Sequence, residues 1–333
     1  MFEGYQQEVE FAQEILAQAA QICRRVQSQS ILSELEKKDR SPVTVADFAS
    51  QAWVAGKLAE VFPKDPVVAE EDSRELQQED NWGLLDSVVS YLQERQPDLD
   101  SEQVCRWIDH GNAQPAERFW TLDPIDGTAG FLRGDQWVVA LALIEEGQVT
   151  MAGLACPRLD PSMAPIESGE GSVIVAVRGQ GSWVTPESTS DYRRMQVSRR
   201  DRSEEARLMG SVEPRHTDMA MLELMQARLG SQSELIKMDS QAKFAMVADG
   251  RADLILRLLS PDRPDYQEKI WDQAAGSLIV TEAGGQVTDL KGEPLDFSVG
   301  DRLSKNVGVL VSNGHLHQEA LSALQALGAV PEG

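Results

Sequence analysis

Cysteine is scarce in this 333-residue chain: Cys23, Cys105 and Cys156 are the only three. They are odd in number, widely spaced and without a C-x-x-C motif, which excludes a disulfide scaffold. They read as free or buried thiols in a reducing compartment. Positive charge is also short. Lys and Arg total 31 against 54 Asp and Glu, a formal net charge of −23, and no basic stretch offsets it. That argues against a partner that is a nucleic-acid polymer or an anionic membrane. A small anionic substrate stays open, because metal ions and a few placed cations can invert the field locally. There is no apolar run of about 18 residues, no repeat and no low-complexity tract. Met1-Phe2-Glu3-Gly4 does not open a basic, apolar signal peptide. The cytoplasm is the default location, and an organellar stroma or matrix fits equally if a transit peptide has been removed.

What is present supports a large folded core. Hydrophobic residues make up 41%, and the length suits one large or two medium domains. Val9, Ala12, Ile15, Leu16, Ala19, Ile22, Cys23 and Val26 recur at helical spacing, so Glu8 to about Gln29 is expected as a helix. A second helix is expected from Val45, with Thr44 as N-cap and Asp47 in an imperfect capping box, and Pro63 stops it. Residues 66–69 read as a short strand. The polar stretch 74–118, with a helix-like segment at 84–92, reads as a helical insertion over the first domain. Strand pairs follow at 137–144 and 149–155, about a Glu146-Gly147 turn, and at 172–177 and 181–185.

This part, residues 1–200, is expected to be an α+β domain with helices over one face of an antiparallel sheet. Residues 201–333 alternate instead: strands at 207–210, 234–237, 254–258 and 307–311, and helices at 217–229, 241–248, 271–283 and 315–327. That pattern predicts an α/β second domain.

The chemistry is expected at Leu122-Asp123-Pro124-Ile125-Asp126-Gly127-Thr128-Ala129-Gly130-Phe131. Pro124 fixes its own φ and Gly127 permits a turn closed to other residues. Two carboxylates three positions apart, with the Ile125 carbonyl between them, make the compact set of hard oxygens that Mg²⁺ prefers. The same pattern also describes an Asx-turn. Glu70, Glu71 and Asp72 at a strand end are either a solvated rim or a cation site. Asp272 is equally well placed as a first-turn helix carboxylate.

Taken together, these segments resemble a family. Asp123-Pro124-Ile125-Asp126-Gly127-Thr128 is similar to the metal-binding signature of the lithium-sensitive, Mg²⁺-dependent phosphatases typified by inositol monophosphatase. Ala129-Gly130-Phe131-Leu132-Arg133-Gly134 resembles their 3′(2′),5′-bisphosphate nucleotidase branch. Further matches are Ser41 to Asp47, Val67 to Glu71, Asp239 to Phe244 and Trp271 to Gly276, in the family's order over most of the chain.

The resemblance implies a layered α-β-α-β-α, sugar-phosphatase-like fold with its active site in the interdomain cleft. It implies two or three Mg²⁺ ions held by Glu70, Asp123, the Ile125 carbonyl, Asp126 and Asp272. Asp47 and Thr128 become the catalytic pair, with Thr128 expected to take a proton from the attacking water and Asp47 standing behind it. His216, Ser240, Lys243 and Arg257, with Thr128 and Asp272, become substrate contacts. Read singly, His216 would be an exposed loop residue, Ser240 a helix N-cap, and Lys243 and Arg257 surface charges.

The activity implied is hydrolysis of the 3′-phosphate of adenosine 3′,5′-bisphosphate, or of 3′-phosphoadenylyl sulfate, by a monomer or homodimer. An inositol phosphate phosphatase and a catalytically silent adenosine-bisphosphate sensor are the rivals. Two departures fall at the substrate end. Leu259 to Asp265 is longer and richer in proline than the family pattern, and Arg215 stands beside His216.

Overall fold

A computed structural model describes residues 1–33, 42–212, 218–260 and 263–329, and their side chains except at 30–33 and 42–44. Two long helices open the chain, α1 (Gln6–Ser33) and α2 (Pro42–Val61). The start of α2 lies three residues ahead of the expected Val45. Pro42 suits the first helical turn, where its missing N–H would have no partner anyway. Thr44 is therefore inside the helix rather than at its cap, and Asp47 stands in the second turn rather than in a capping box.

After strand β1 (Val67–Ala69), the 74–118 segment forms two helices, α3 (Trp82–Gln93) and α4 (Ser101–Asp109). Both pack against α2, and Val88, Leu92, Val104 and Ile108 join its core. The approach is close: a Cβ at Gly56 would lie 2.1 Å from the Trp107 ring. None of this segment lines the site described below.

Strand β2 (Arg118–Asp126) runs into the short helix α5 (Thr128–Arg133). Then come β3 (Val138–Glu145), β4 (Gln148–Cys156), β5 (Ser172–Val177), β6 (Gly181–Pro186) and β7 (Arg193–Arg194). These seven strands lie in chain order in one sheet. All neighbours are antiparallel except β1 and β2, which are parallel because the helical segment carries the chain back between them. Glu146 and Gly147 both take positive φ, as the tight β3–β4 turn requires.

The remaining elements are β8 (Leu208–Gly210), α6 (Met219–Leu229), β9 (Ile236–Lys237), α7 (Ala242–Ala248), β10 (Leu254–Arg257), α8 (Ala274–Glu282), β11 (Gln286–Thr288), β12 (Val309–Ser312) and α9 (His317–Ala326). They build a second, mixed sheet in the order β11-β12-β10-β8-β9.

Strand alternation explains the stacking. In β3, Val139, Leu141 and Leu143 face the core under α1 and α2, whereas Val138, Ala140, Ala142 and Ile144 face the core shared with α8. The first sheet is thus covered on both faces, not one, and its strands read as continuous apolar runs for that reason. The middle core also takes Ile255, Val309 and Val311 from the second sheet. The opposite face of that sheet, through Leu254, Leu256 and Leu310, packs on α6 and α9. Among the described residues, five layers enclose three apolar cores. Each fully buried Leu or Val contributes about 1.5–3 kcal/mol relative to exposure, and the three cysteines are buried free thiols among them.

Candidate active site

The end of β2 does not continue as a regular strand. Asp123 pairs with Ala140 and Asp126 with Val138, so three steps on β2 answer two on β3. In a regular strand residues three apart point to opposite faces. The irregularity turns both aspartates toward one cleft. Asp123 folds back to accept from the Ile125 N–H at 3.1 Å, so the Asx-turn reading also holds locally. Gly127 then takes φ +93°, and a Cβ there would lie 2.8 Å from Cβ of Ser240.

The cleft has a volume of about 440 Å³ and draws on elements far apart in sequence. Glu70 comes from the end of β1, Asp123, Ile125 and Asp126 from β2, and Thr128 from the first turn of α5. Ser240 comes from the turn before α7, Lys243 from its first turn, Arg257 from the end of β10, and Asp272 from the segment before α8. Asp272 was expected in the opening turn of that helix. The helix begins instead at Ala274, with Gln273 at its cap and Asp272 in the approach. Ser240 is likewise not an ordinary N-cap. It sits at φ +64°, a region costly for a residue with a side chain, with its hydroxyl accepting from Ala242 N–H at 3.2 Å. His216 lies outside the described residues.

Carboxylates dominate one end. Burial holds the Asp123 carboxyl well above the usual range, and Glu70, Asp126, Asp272 and Asp47 add to the effect. Burial and then Asp126, Glu268 and Glu70 do the same to Asp272. Asp47, deep in α2 and only 5% exposed, is raised by burial and then by Glu71 and Glu70. Glu70 is raised as well, by burial and Asp126, although it stands at the solvent-facing mouth. Among the described residues, no three His, Cys, Asp or Glu side chains close into a ready metal-binding group. Glu70, Asp123, Asp126 and Asp272 line a shared cleft rather than a finished coordination shell, and Asp47 lies behind that lining, not in it. The donors fit Mg²⁺ in kind, all being hard oxygens, and their mutual repulsion favours a cation between them.

Cations gather at the other end. Lys243, 4% exposed, bonds to the Met238 carbonyl at 3.1 Å and Ser211 Oγ at 3.4 Å. Burial and then Arg257 lower its ammonium to about 8, against the pull of Asp126, Asp239 and Glu268. Arg257 is paired with Glu268 at 2.9 Å, and Glu268 also accepts from Gln273 at 2.8 Å.

Thr128 donates to the Ile125 carbonyl at 3.3 Å, and no hydrogen bond joins it to Asp47 among the described residues.

Several residues were not singled out from sequence. Gln241, only 1% exposed, donates its backbone N–H to Asp126 at 2.6 Å. Its side chain reaches the Trp271 carbonyl at 3.0 Å and Gly276 N–H at 2.9 Å, bracing the approach that carries Asp272. It lay inside the Asp239–Phe244 segment, where its identity alone gave no signal. Glu268 and the Arg263–Tyr266 pair, whose cation lies 4.4 Å from the ring centroid, line the substrate side.

Fold and site together define a layered α-β-α-β-α protein with an acidic cleft at the junction of its two sheets. The chain belongs to the inositol monophosphatase family, whose description matches residues 5–329. It is 37% identical over 352 residues to 3′(2′),5′-bisphosphate nucleotidase 2 of Candida albicans, covering 96% of this chain and 97% of that protein. It is 37% identical over 340 residues to the 3′(2′),5′-bisphosphate nucleotidase of Oryza sativa, covering 96% and 94%. Among solved structures, Thermotoga maritima IMPase aligns with a TM-score of 0.63 at 19% identity, covering 97% and 98%. CysQ from Bacteroides thetaiotaomicron aligns at 0.61 and 18%, covering 93% and 98%. At such identities the structural likeness shows the fold alone. Mg²⁺ dependence is general in the family. No described helix is long and apolar enough to cross a membrane.

Proposed function

We propose that this protein is a Mg²⁺-dependent 3′(2′),5′-bisphosphate nucleotidase that cleaves the 3′-phosphate of adenosine 3′,5′-bisphosphate, giving AMP and phosphate. 3′-Phosphoadenylyl sulfate is its second substrate. The observation that carries this is one cleft with two unlike ends: buried carboxylates without enough counter-charge, and Lys243 and Arg257 on the facing wall. A substrate with one phosphate for each end uses both.

Two or three Mg²⁺ ions are proposed, one held by Glu70, Asp123 and the Ile125 carbonyl, another by Asp123, Asp126 and Asp272. When bound, they supply Lewis acidity at the phosphoryl oxygens and make water nucleophilic near neutral pH. Thr128 accepts the proton of the attacking water, and Asp47, whose raised affinity for protons suits a base, draws it onward. For this the Thr128 hydroxyl must rotate away from the Ile125 carbonyl that it meets at rest. Ser240, Lys243 and Arg257 hold the 5′-phosphate end, with His216 assigned there by its place in sequence. Glu268 keeps the Arg257 fork oriented. Residues 1–200 and 201–333 act as the two walls of the cleft. The substrate is the only partner that this reading needs.

The test is phosphate release from adenosine 3′,5′-bisphosphate, its sulfated form, inositol 1-phosphate and inositol 1,4-bisphosphate, with Mg²⁺. The expected kcat/KM is highest for the two nucleotides. Preference for an inositol phosphate reassigns the enzyme within its family. Tight nucleotide binding without release makes it a sensor.

A further inference from the structure

Away from this cleft, a second concavity of about 800 Å³ opens between the later turns of α1, the end of α3 and the loop after β4. Its wall carries Arg24, Arg25, Arg95 and Arg158, in a protein with a net charge of −23. Two of the four are neutralised in the ordinary way, Arg24 by Glu187 and Arg25 by Glu94 at 2.7 Å. The other two are held by uncharged oxygens. Arg95 donates to Gln21 Oε1 at 2.6 Å, and its guanidinium lies 5.9 Å from the Trp53 ring centroid. Arg158 donates to the Glu167 carbonyl at 2.6 Å and to Gln27 Oε1 at 3.3 Å. Among the described residues neither forms a salt bridge with a carboxylate.

A guanidinium keeps its charge at any physiological pH, and its planar fork matches the oxygens of a phosphate. Two such forks, hydrogen-bonded to neutral acceptors, give the concave wall a positive field. Glu94, already paired with Arg25, also acts on Arg95, and Glu167 lines the wall, so the four guanidinium groups outnumber the carboxylates of the lining. The volume is that of a small-molecule site, and the acidity of the rest of the surface repels a polyanion.

The groove is also tied to the active cleft. The Gln27 carboxamide that accepts from Arg158 donates through its Nε2 to the Phe131 carbonyl, in the helix whose first residue is Thr128. A ligand that draws on Arg158 therefore changes what holds α5.

We infer that this groove binds a phosphate-bearing small molecule through Arg95 and Arg158, and that Gln27 passes its occupancy to α5. This stands apart from the substrate assignment, since no groove residue lines the active cleft.

Calorimetric titration of the Mg²⁺-loaded protein with AMP, and separately with inorganic phosphate, tests it. The wild type is expected to show one site more than the Arg95→Gln/Arg158→Gln double variant for at least one probe. Tighter binding of AMP points to a nucleotide, and of inorganic phosphate to the free anion. Arg158→Lys keeps the charge but loses the fork, and is expected to weaken this site by about tenfold, the low end for a charge-assisted contact. It also serves as the test should the double variant fail to fold. In Gln27→Leu the groove still binds, but its ligand no longer alters kcat. Equal site numbers in wild type and double variant, with Arg158→Lys binding unchanged, overturn the proposal. A ligand effect on kcat that survives Gln27→Leu overturns the coupling.

Discussion

The two ends of the active cleft are both built from buried charge, yet they are balanced differently. At the substrate end each cation has a resident partner: Arg257 has Glu268, and Lys243 has a carbonyl and a hydroxyl oxygen. That end is organised before anything binds. At the opposite end burial raises the affinity of Asp123, Asp126, Asp272 and Glu70 for protons. Glu70, Asp126, Asp272 and Asp47 add to it at Asp123, and Asp126 and Glu70 at Asp272, whereas Lys243 and Arg257 oppose it at Asp126. The first end lowers the ordering cost of binding. The second stores repulsion that only cations or protons relieve. Position is prepared by the protein, while charge compensation, begun by Lys243 and Arg257, is completed by what it binds.

The largest effect on that contrast is expected from removing the proton acceptor, which also eases the repulsion at Asp123. Asp47→Asn keeps the volume inside α2 and takes away one buried negative charge. A fall in kcat of about two to four decades is expected, the scale of lost general base catalysis, without loss of stability. Because Asp47 lies in the second turn of α2, a capping explanation for any defect no longer applies. Near-normal turnover would remove Asp47 from the mechanism.

A smaller effect sharpens the other end. Loss of a charge-assisted contact costs about 1.5–3 kcal/mol, or roughly one to two decades in kcat/KM. Arg257→Ala or Lys243→Ala is expected to slow hydrolysis of adenosine 3′,5′-bisphosphate by that order and to leave 3′-AMP, already a poor substrate, nearly unaffected. Equal losses on both substrates would assign these residues to the metal end or to the fold, for Lys243 also faces Asp126.

The acidic end was more legible in sequence than the cationic end, for a physical reason. Asp123 to Thr128 is one continuous segment at the irregular end of β2, so Pro124, Gly127 and the carboxylate spacing announce a bent oxygen-rich turn within six letters. The five-layer stacking came only through the family resemblance: the strand pattern was read as a sheet covered on one face, although the continuous apolar run 138–144 is what burial on both faces produces. Glu268 and Gln241 are single polar letters whose roles arise only when α7, β10 and the approach to α8 meet. The left-handed backbone at Ser240 has no signature, since serine is ordinary at helix starts. Strand β11, with three residues, is too short for periodicity. Helix α4 was absorbed into a polar stretch, although Val104, Trp107 and Ile108 bury one of its faces.

The smallest expected effect lies in stability, and it tests the repulsion directly. Carboxyls raised in the folded state keep their protons to higher pH than the same groups in the unfolded chain. Their contribution to stability is fully present below the ordinary carboxylate range and is lost as pH rises through the raised folded values. The metal-free protein, in EDTA, is therefore expected to melt at falling temperature from about pH 4 toward neutrality. Mg²⁺ should oppose that trend by binding the ionised folded form, with about 2.7 kcal/mol gained at a hundred times its Kd.

General repulsion among surface acids has the same sign, so a variant must separate the two. Asp123→Asn keeps an oxygen for the Ile125 N–H but removes one of the buried charges. Without metal it should be more stable than wild type near neutral pH. Its slope of stability against pH should be shallower by up to about 1.4 kcal/mol per unit, the value for one proton. With Mg²⁺ it should gain less stability than wild type, and its activity should fall. Parallel pH profiles of wild type and Asp123→Asn in EDTA would mean that the surface, not the cleft, carries the dependence. The acidic end would then be no less balanced than the basic one.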